Sequence, residues 1–205
     1  MNRQLKDWIR PERTALLLID MQVDFAAPEG GLGRDGMDME APQAAVREAS
    51  RLAEAARRAG VACVFVRLIT RDEDDTPFLR EWKTRRGADG PPLCREGTRG
   101  AEFVGPQPHG GEMVFSKERY NSFIGTGLDA ALRGEGIDTL VVAGLTTECC
   151  IDSSVRDAFE RDYHVFVVED ATACYEPGLH AAAIQALALN CAQIVRAADV
   201  RDAWK

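Results

Sequence analysis

The feature that most constrains the fold is an alternation of short apolar runs with longer amphipathic stretches along the chain. The run at 14–19 is almost wholly Ala, Leu and Ile, whereas 42–59 carries apolar residues at helical spacing. Such alternation is typical of βαβ units around a buried parallel sheet. Six strands are predicted, at 14–19, 62–68, 112–115, 139–143, 164–168 and 193–195.

Helices are predicted between most of these strands, and one segment departs from the pattern. Helical spacing covers 42–59, 128–133, 150–161 and 179–190. Residues 69–111 are instead rich in Asp, Glu, Arg, Gly and Pro, with a brief helix at 78–84, which predicts a loop-rich insertion or lid. The sequence therefore predicts one doubly wound α/β domain over residues 1–205, a three-layer sandwich around a mostly parallel six-stranded sheet of order 3-2-1-4-5-6.

Composition and charge narrow the class of protein and its partners. Apolar residues make up 45% and charged residues 28% of the 205 residues, as in ordinary globular proteins. A net charge of -8 argues against binding to nucleic acid. The polar amino terminus and the short apolar runs predict neither a signal peptide nor a membrane segment. Six cysteines without a Cys-x-x-Cys pair predict reduced thiols in a cytoplasmic protein.

Three polar residues follow predicted strands near the point where the sheet order reverses, which is where ligands bind in such folds. Asp20 ends strand 1 and is either a general base or a turn cap. Cys150 follows strand 4, about one turn into a helix whose dipole lowers a thiol pKa, and a buried inert cysteine is the alternative. Lys117 follows strand 3, where it is either solvated or supports the charges of Asp20 and Cys150.

Three motifs around these residues resemble the isochorismatase-like cysteine hydrolases, which include nicotinamidases, carbamoylsarcosine amidohydrolases, ureidoacrylate hydrolases and biuret hydrolases. Asp-Met-Gln-Val-Asp-Phe at 20–25 is similar to the family motif after strand 1, and Lys-Glu-Arg-Tyr-Asn-Ser-Phe at 117–123 to its lysine segment. Gly-Leu-Thr-Thr-Glu-Cys-Cys at 144–150 is similar to the nucleophile motif and selects Cys150 over Cys149. The resemblance covers about residues 13–200.

The resemblance implies a catalytic triad with Cys150 as nucleophile, Asp20 as acid/base and Lys117 as the electrostatic third member. It also implies a cis peptide between Leu145 and Thr146, and an oxyanion hole made by the backbone N–H groups of Thr146 and Cys150. The implied activity is hydrolysis of a carbon–nitrogen bond in a small amide, ureido or carbamoyl substrate through a thioester. Because family members commonly assemble as dimers or tetramers, a homodimer or homotetramer is expected.

Residues near these motifs are predicted to bind a small-molecule substrate. Nicotinamidases carry a histidine-containing metal motif after strand 2, and residues 67–75 of this chain contain no histidine. No metal and no cofactor are therefore expected, and ureido or carbamoyl substrates are favoured over nicotinamide. The predicted substrate-binding residues are a polar residue of the first motif, aromatic walls and arginines for a carboxylate: Gln22, Phe25, Tyr120, Phe123, Trp82, Arg71 and Arg119.

Two other functions stay open at this point. One is an isochorismatase-type vinyl-ether hydrolase, which does not need the cysteine, and the other is a catalytically idle thiol or binding protein. The glycines at 31, 33 and 36 match the spacing of a dinucleotide-binding loop. They do not open a helix directly after a strand, so a flexible loop is predicted there instead.

Overall fold

A computed structural model describes residues 2–87 and 90–205. Within these ranges the strands are β1 (Thr14–Ile19), β2 (Ala62–Leu68), β3 (Met113–Lys117), β4 (Thr139–Leu145), β5 (His164–Ala173) and β6 (Gln193–Val195). They form one sheet of order β3-β2-β1-β4-β5-β6, in which every neighbouring pair is parallel. The predicted α/β fold class and strand order are confirmed.

Helices cover both faces of this sheet. They are α1 (Asn2–Trp8), α2 (Val23–Ala26), α3 (Gly31–Arg34), α4 (Glu40–Ala59), α5 (Pro77–Arg85), α6 (Leu128–Gly134), α7 (Asp152–Glu160), α8 (Pro177–Asn190) and α9 (Ala197–Ala203). Leu16 and Leu18 of β1 belong to a core with α1, α4 and α9, whereas Leu17 and Ile19 belong to a core with α6, α7 and α8. The central strand is therefore buried on both sides, as its unbroken apolar run predicts.

Helix α4 shows how local sequence signals set an element. Its apolar stripe, including Ala49 and Leu52, is fully buried against the sheet. The helix ends where Gly60 adopts a φ of 75°, a left-handed conformation that glycine takes without steric cost. It begins at Glu40, two residues before the predicted start at 42.

Several elements extend beyond the predicted ones. β4 and β5 continue past 143 and 168, and the short helices α1, α2, α3 and α9 lie outside the predicted helices. Helices this short depend on tertiary contacts. The indole of Trp204 donates a hydrogen bond of 3.0 Å to the carbonyl of Ile9, which holds the two ends of the chain together. In the described ranges, no helix is both long and apolar enough to cross a membrane.

The glycine-rich segment after β1 is not the flexible loop predicted for it. Gly31–Arg34 forms helix α3, and the backbone N–H of Gly31 donates to the carboxylate of Asp24 at 2.7 Å. A Cβ on Gly33 would lie 2.4 Å from the carbonyl oxygen of Pro28. Glycine is needed here because two backbone segments pack closely.

Residues 69–111 form the predicted insertion, of which 88 and 89 lie outside the described residues. The predicted helix at 78–84 is confirmed as α5, one residue longer at each end. Thr76 caps α5 by accepting a hydrogen bond of 3.3 Å from the N–H of Leu79. Since Thr70 pairs with Arg95 in an isolated bridge, the insertion leaves the end of β2 and returns to it.

Candidate active site

Three side chains from distant parts of the chain meet at the carboxyl edge of the sheet. Asp20 follows β1, Lys117 ends β3, and Cys150 lies in the turn after β4. The Nζ of Lys117 is 2.7 Å from Oδ2 of Asp20 and 3.4 Å from Sγ of Cys150. The structure thus brings together the three residues that the sequence predicts as a catalytic triad.

Asp20 occupies a strained backbone position. Its φ of 52° is left-handed, which costs a non-glycine residue about 1–2 kcal/mol and is tolerated best by Asp and Asn. The residue is fully buried, and its N–H donates a hydrogen bond of 2.8 Å to the carbonyl of Val66 in β2. The neighbouring strand therefore holds Asp20 in this conformation at the end of β1.

Lys117 is fully buried and contacts three acceptors. Its Nζ donates hydrogen bonds to the carbonyl of Arg119 at 2.9 Å and to Sγ of Cys150, and it forms an ion pair with Asp20. Burial lowers the pKa of Lys117, but Asp20 and then Cys150 more than offset this effect and raise the pKa above its usual value. The ammonium therefore keeps its charge throughout the neutral pH range.

Cys150 lies in a π-helical turn, Thr147–Ile151, that leads directly into α7. Its side chain is buried, and the preceding Cys149 is half-buried. The helix position predicts a lowered thiol pKa, and the structure gives the opposite direction. The neighbouring Cys149 thiol, burial and the Asp20 carboxylate raise the pKa of Cys150, whereas Lys117 lowers it. The resting thiol is therefore protonated at neutral pH and needs a base when it attacks.

The turn that carries Cys150 approaches β1 closely. Gly144, at the end of β4, has a φ of 142°, and a Cβ there would lie 2.1 Å from the carbonyl oxygen of Ile19. The peptide between Leu145 and Thr146 is cis. Glycine at 144 thus lets the turn lie against the end of β1, next to Asp20.

A cavity of about 480 Å³ is lined by this turn, by the segment after β1 and by the insertion. This volume is typical of a small-molecule site. Leu79 and Lys83 lie four residues apart on α5 and both line the cavity, so one side of α5 forms part of its wall. The cavity also includes Leu145, Thr146, Glu148, Cys149 and Cys150 of the turn, and Thr70, Asp74, Asp75, Pro91, Pro92 and Leu93 of the insertion.

Three of the predicted substrate-binding residues line this cavity. Phe25 is half-buried, and Tyr120 is exposed. Arg119 lies beside them, with one guanidinium nitrogen donating to the carbonyl of Glu118 at 3.0 Å. An aromatic wall and a cationic side chain therefore share one cavity with Cys150.

Three others lie outside the cavity lining. Phe123 is buried in the core, where its ring centroid is 5.9 Å from that of Tyr163. Arg71 forms a two-bond ion pair with Glu96, at 2.7 and 2.8 Å. Trp82 is on α5, and its ring is partly exposed. The structure assigns none of the three to the cavity wall.

Gln22 also lies outside the cavity, and its side-chain amide holds backbone groups together. Its Nε2 donates to the carbonyls of Leu68 and Ala101 at 2.8 and 2.9 Å, and its Oε1 accepts from the N–H of Leu68 at 2.8 Å. The residue is fully buried. Gln22 therefore ties the end of β2 and the insertion to the segment after β1.

Replacing Gln22 by leucine is expected to destabilise the fold by about 2–4 kcal/mol, since each buried backbone group left unpaired costs roughly 1–3 kcal/mol. Urea unfolding followed by circular dichroism measures this loss. Gln107→Leu is the matched control, because Gln107 is exposed and donates a single hydrogen bond, to Phe103. Unchanged stability of Gln22→Leu with loss of turnover would instead support the predicted role of Gln22 in substrate binding.

Two cavity residues carry little signal in the sequence. Glu148 stands two positions before Cys150 in the third motif, and its carboxylate accepts a hydrogen bond of 2.8 Å from the hydroxyl of Thr146. Tyr175 follows β5, and its hydroxyl donates to the carbonyl of Phe25 at 2.7 Å. Neither role is detectable without the structure, because it depends on how separate strand ends come together.

The acidic segment after β2 does not fit a metal ion. Oδ2 of Asp74 accepts the N–H of Arg71 at 2.8 Å, and Asp75 pairs with Arg95 at 2.7 Å. Across residues 2–87 and 90–205, no group of three or more His, Cys, Asp or Glu side chains is arranged to bind a metal. These carboxylates instead stabilise the insertion.

Comparison with known proteins identifies the family. The family model of the isochorismatase domain matches residues 14–199. The chain belongs to the isochorismatase family. Among its relatives is ureidoacrylate amidohydrolase RutB of Azorhizobium caulinodans, 31% identical over 175 residues that cover 78% of this chain and 76% of the relative. The family predicted from the three motifs is confirmed.

Solved structures of related proteins share the fold of this isochorismatase-family chain. A cysteine hydrolase from Pseudomonas syringae has a TM-score of 0.83 and 26% identity, over 96% of this chain and 94% of its own. N-carbamoylsarcosine amidase from Thermoplasma acidophilum has a TM-score of 0.71 and 29% identity, over 90% of this chain and 96% of its own. The likeness extends over nearly the whole length of each chain.

Proposed function

We propose that this chain is a cysteine-dependent amidohydrolase that cleaves a carbon–nitrogen bond of a small amide, ureido or carbamoyl substrate through a thioester. The observation that carries the cysteine mechanism is the contact of one buried ammonium, that of Lys117, with both Asp20 and Cys150. The enzyme class rests on the relatives, which include an amidohydrolase and an amidase. The chain is a hydrolase of carbon–nitrogen bonds other than peptide bonds.

In the proposed reaction, Asp20 accepts the thiol proton as Sγ of Cys150 attacks the substrate carbonyl carbon. The carbon–nitrogen bond then breaks while Asp20 returns this proton to the departing nitrogen, which leaves an acyl thioester on Cys150. Asp20 next takes a proton from the water that attacks the thioester, and this proton restores the thiol as the product acid leaves. Lys117 stays charged throughout and stabilises first the carboxylate and then the thiolate.

The developing oxyanion is proposed to bind the backbone N–H groups of Thr146 and Cys150. Both belong to the turn at the start of the helical segment after β4, where N–H groups have no partner within the helix. Such preorganised donors stabilise the negative charge that appears on the carbonyl oxygen in the tetrahedral intermediate. The geometry of the turn therefore supports acyl transfer to sulfur.

The cavity supports a small substrate with an apolar part and a carboxylate. Phe25 and Tyr120 are proposed to contact the apolar part. Arg119 is proposed to bind the carboxylate, because its guanidinium donates to a backbone carbonyl and has further N–H groups to offer. A ureido or carbamoyl acid has both parts, and RutB is named for such a substrate.

Ammonia release from a panel of amides tests this function. The panel holds N-carbamoylglycine, ureidoacrylate, biuret, maleamate and nicotinamide. We expect turnover of at least one ureido or carbamoyl compound, with kcat/KM at least about tenfold above that for nicotinamide. Equal turnover of nicotinamide would contradict the substrate preference. Hydrolysis of isochorismate without ammonia release from any compound would contradict the amidohydrolase itself.

A further inference from the structure

We propose that Glu148 determines specificity by accepting a hydrogen bond from the substrate nitrogen that stays attached to the carbonyl carbon after cleavage. Ureido and carbamoyl compounds carry this second nitrogen, whereas carboxamides of the same shape carry a methylene there. Glu148 thus selects ureido and carbamoyl compounds over carboxamides. The inference rests on the proposed amidohydrolase function and narrows its substrate class.

The carboxylate of Glu148 is held through one of its oxygens, and the other oxygen has no hydrogen-bond partner in the described part of the chain. Its Oε1 accepts the hydroxyl hydrogen of Thr146 at 2.8 Å. Its Oε2 is buried and has no hydrogen-bond partner among residues 2–87 and 90–205. The weakly donating thiol of Cys174 lies nearby, and its pKa is raised to about 11 by burial and then by Glu148. A buried acceptor of this kind favours a ligand that supplies an N–H.

Two other carboxylates of the cavity already have strong partners, and those of Asp35 and Glu118 belong to exposed residues. Asp74 accepts a backbone N–H, and Asp75 forms an ion pair with Arg95. Glu148 differs from both because its free oxygen belongs to the same turn as Cys150 and the proposed oxyanion hole. An N–H that reaches this oxygen therefore belongs to the part of the substrate next to the carbonyl.

The strand order places Glu148 and Asp20 on opposite sides of the nucleophile. Asp20 and Lys117 come from β1 and β3, which lie on one side of β4. Glu148 neighbours Cys174 and Tyr175, which follow β5 on the other side of β4. Cys150, after β4, lies between these two groups.

This arrangement decides which nitrogen meets Glu148. The departing nitrogen receives its proton from Asp20 and so faces the β1 side of the cavity. The group that remains on the carbonyl carbon then faces the β5 side, where the Glu148 carboxylate lies near Cys174 and Tyr175. In a ureido compound this group is an N–H donor, whereas the methylene of a carboxamide leaves Oε2 of Glu148 unpaired.

Two isosteric pairs of substrates test the inference: biuret with malonamide, and N-carbamoylglycine with succinamate. Each pair differs in one NH replaced by CH2, and the pairs differ from each other in charge. We expect the wild type to prefer the ureido member by at least about tenfold in kcat/KM. In Glu148→Gln this preference disappears, because the ureido member loses about 10- to 100-fold while the carboxamide changes little.

The direction of the Glu148→Gln effect follows from the Thr146 hydroxyl. This hydroxyl keeps the glutamine oxygen at the position of Oε1, which places the amide nitrogen at the position of Oε2. A donor then faces the substrate N–H. Glu160→Gln is the matched control, since Glu160 is exposed at the end of α7 and its variant loses the same charge. Glu160→Gln is expected to leave the ratio of kcat/KM between the ureido compound and the carboxamide unchanged in both pairs.

An equal loss on both members of a pair in Glu148→Gln would overturn the inference, because it would indicate a role only in the fold of the turn. If circular dichroism shows that Glu148→Gln does not fold, the wild-type enzyme provides the test. A wild-type kcat/KM for the ureido compound that equals that for its carboxamide partner overturns the inference. Turnover that depends on Cys150 but lacks this preference overturns the inference alone. Failure of the proposed function is distinguishable, because it appears as no turnover of any panel compound.

Discussion

Replacing Cys150 by alanine is expected to lower ammonia release to the uncatalysed background, a loss of at least about 10⁴-fold in kcat. The variant lacks the sulfur that contacts the Lys117 ammonium, so no thioester forms. Steady-state assays on the best panel substrate measure this loss. Mass spectrometry of wild-type protein quenched during turnover is expected to find the acyl adduct on the peptide containing Cys150.

Cys149→Ala is the control for this result. Cys149 is the neighbouring thiol and lines the same cavity, but Lys117 donates to the sulfur of Cys150. We expect Cys149→Ala to keep kcat within about tenfold of the wild type. Wild-type activity in Cys150→Ala, or an adduct on Cys149, would contradict the assignment of the nucleophile.

The sheet was predictable because a buried parallel strand must be apolar throughout. The run that becomes β1 is apolar after Thr14, the run that becomes β2 is interrupted only by Arg67 next to its end, and the predicted bounds of both match the structure. β5 is predicted too short because its second half contains Glu169, Asp170 and Thr172. Backbone pairing with β4 stops at Val167 and resumes at Thr172, after a register shift between Val142 and Gly144.

The meeting of Asp20, Lys117 and Cys150 was predictable for a related reason. Carboxyl ends of parallel strands lie at one edge of the sheet, so polar residues that follow different strands come together there. The raised pKa of Cys150 was not predictable from its helical position alone. It depends on Cys149, burial and Asp20, which together outweigh the opposing effect of the Lys117 ammonium.

The residues that line the cavity could not be predicted reliably from the sequence, because their roles depend on contacts between distant parts of the chain. Gln22 is a polar residue of the motif at 20–25, and Glu148 is a polar residue of the motif at 144–150. The amide of Gln22 is fully used by backbone groups of β2 and the insertion, whereas one carboxylate oxygen of Glu148 is buried without a hydrogen-bond partner in the described part of the chain. Which polar residue remains available to a ligand is decided by its tertiary partners.

Replacing Lys117 by methionine is expected to destabilise the fold by about 3–5 kcal/mol, because Asp20 then becomes a buried charge without its partner. Both side chains of this pair are fully buried. Turnover falls by about 10²-fold or more, since the ammonium no longer stabilises the carboxylate and the thiolate. Urea unfolding and the ammonia assay measure the two effects separately.

The double variant Asp20→Asn/Lys117→Met separates the fold from the chemistry. Asparagine tolerates the left-handed backbone of Asp20, and neither new side chain is charged, so we expect stability closer to the wild type than that of Lys117→Met. Lys205→Met is the matched control, because its ion pair with Asp202 is exposed and its loss leaves stability unchanged. A double variant as unstable as Lys117→Met would contradict the coupling of the buried pair. A stable but inactive double variant would assign the two charges to catalysis, since the fold would then be maintained without them.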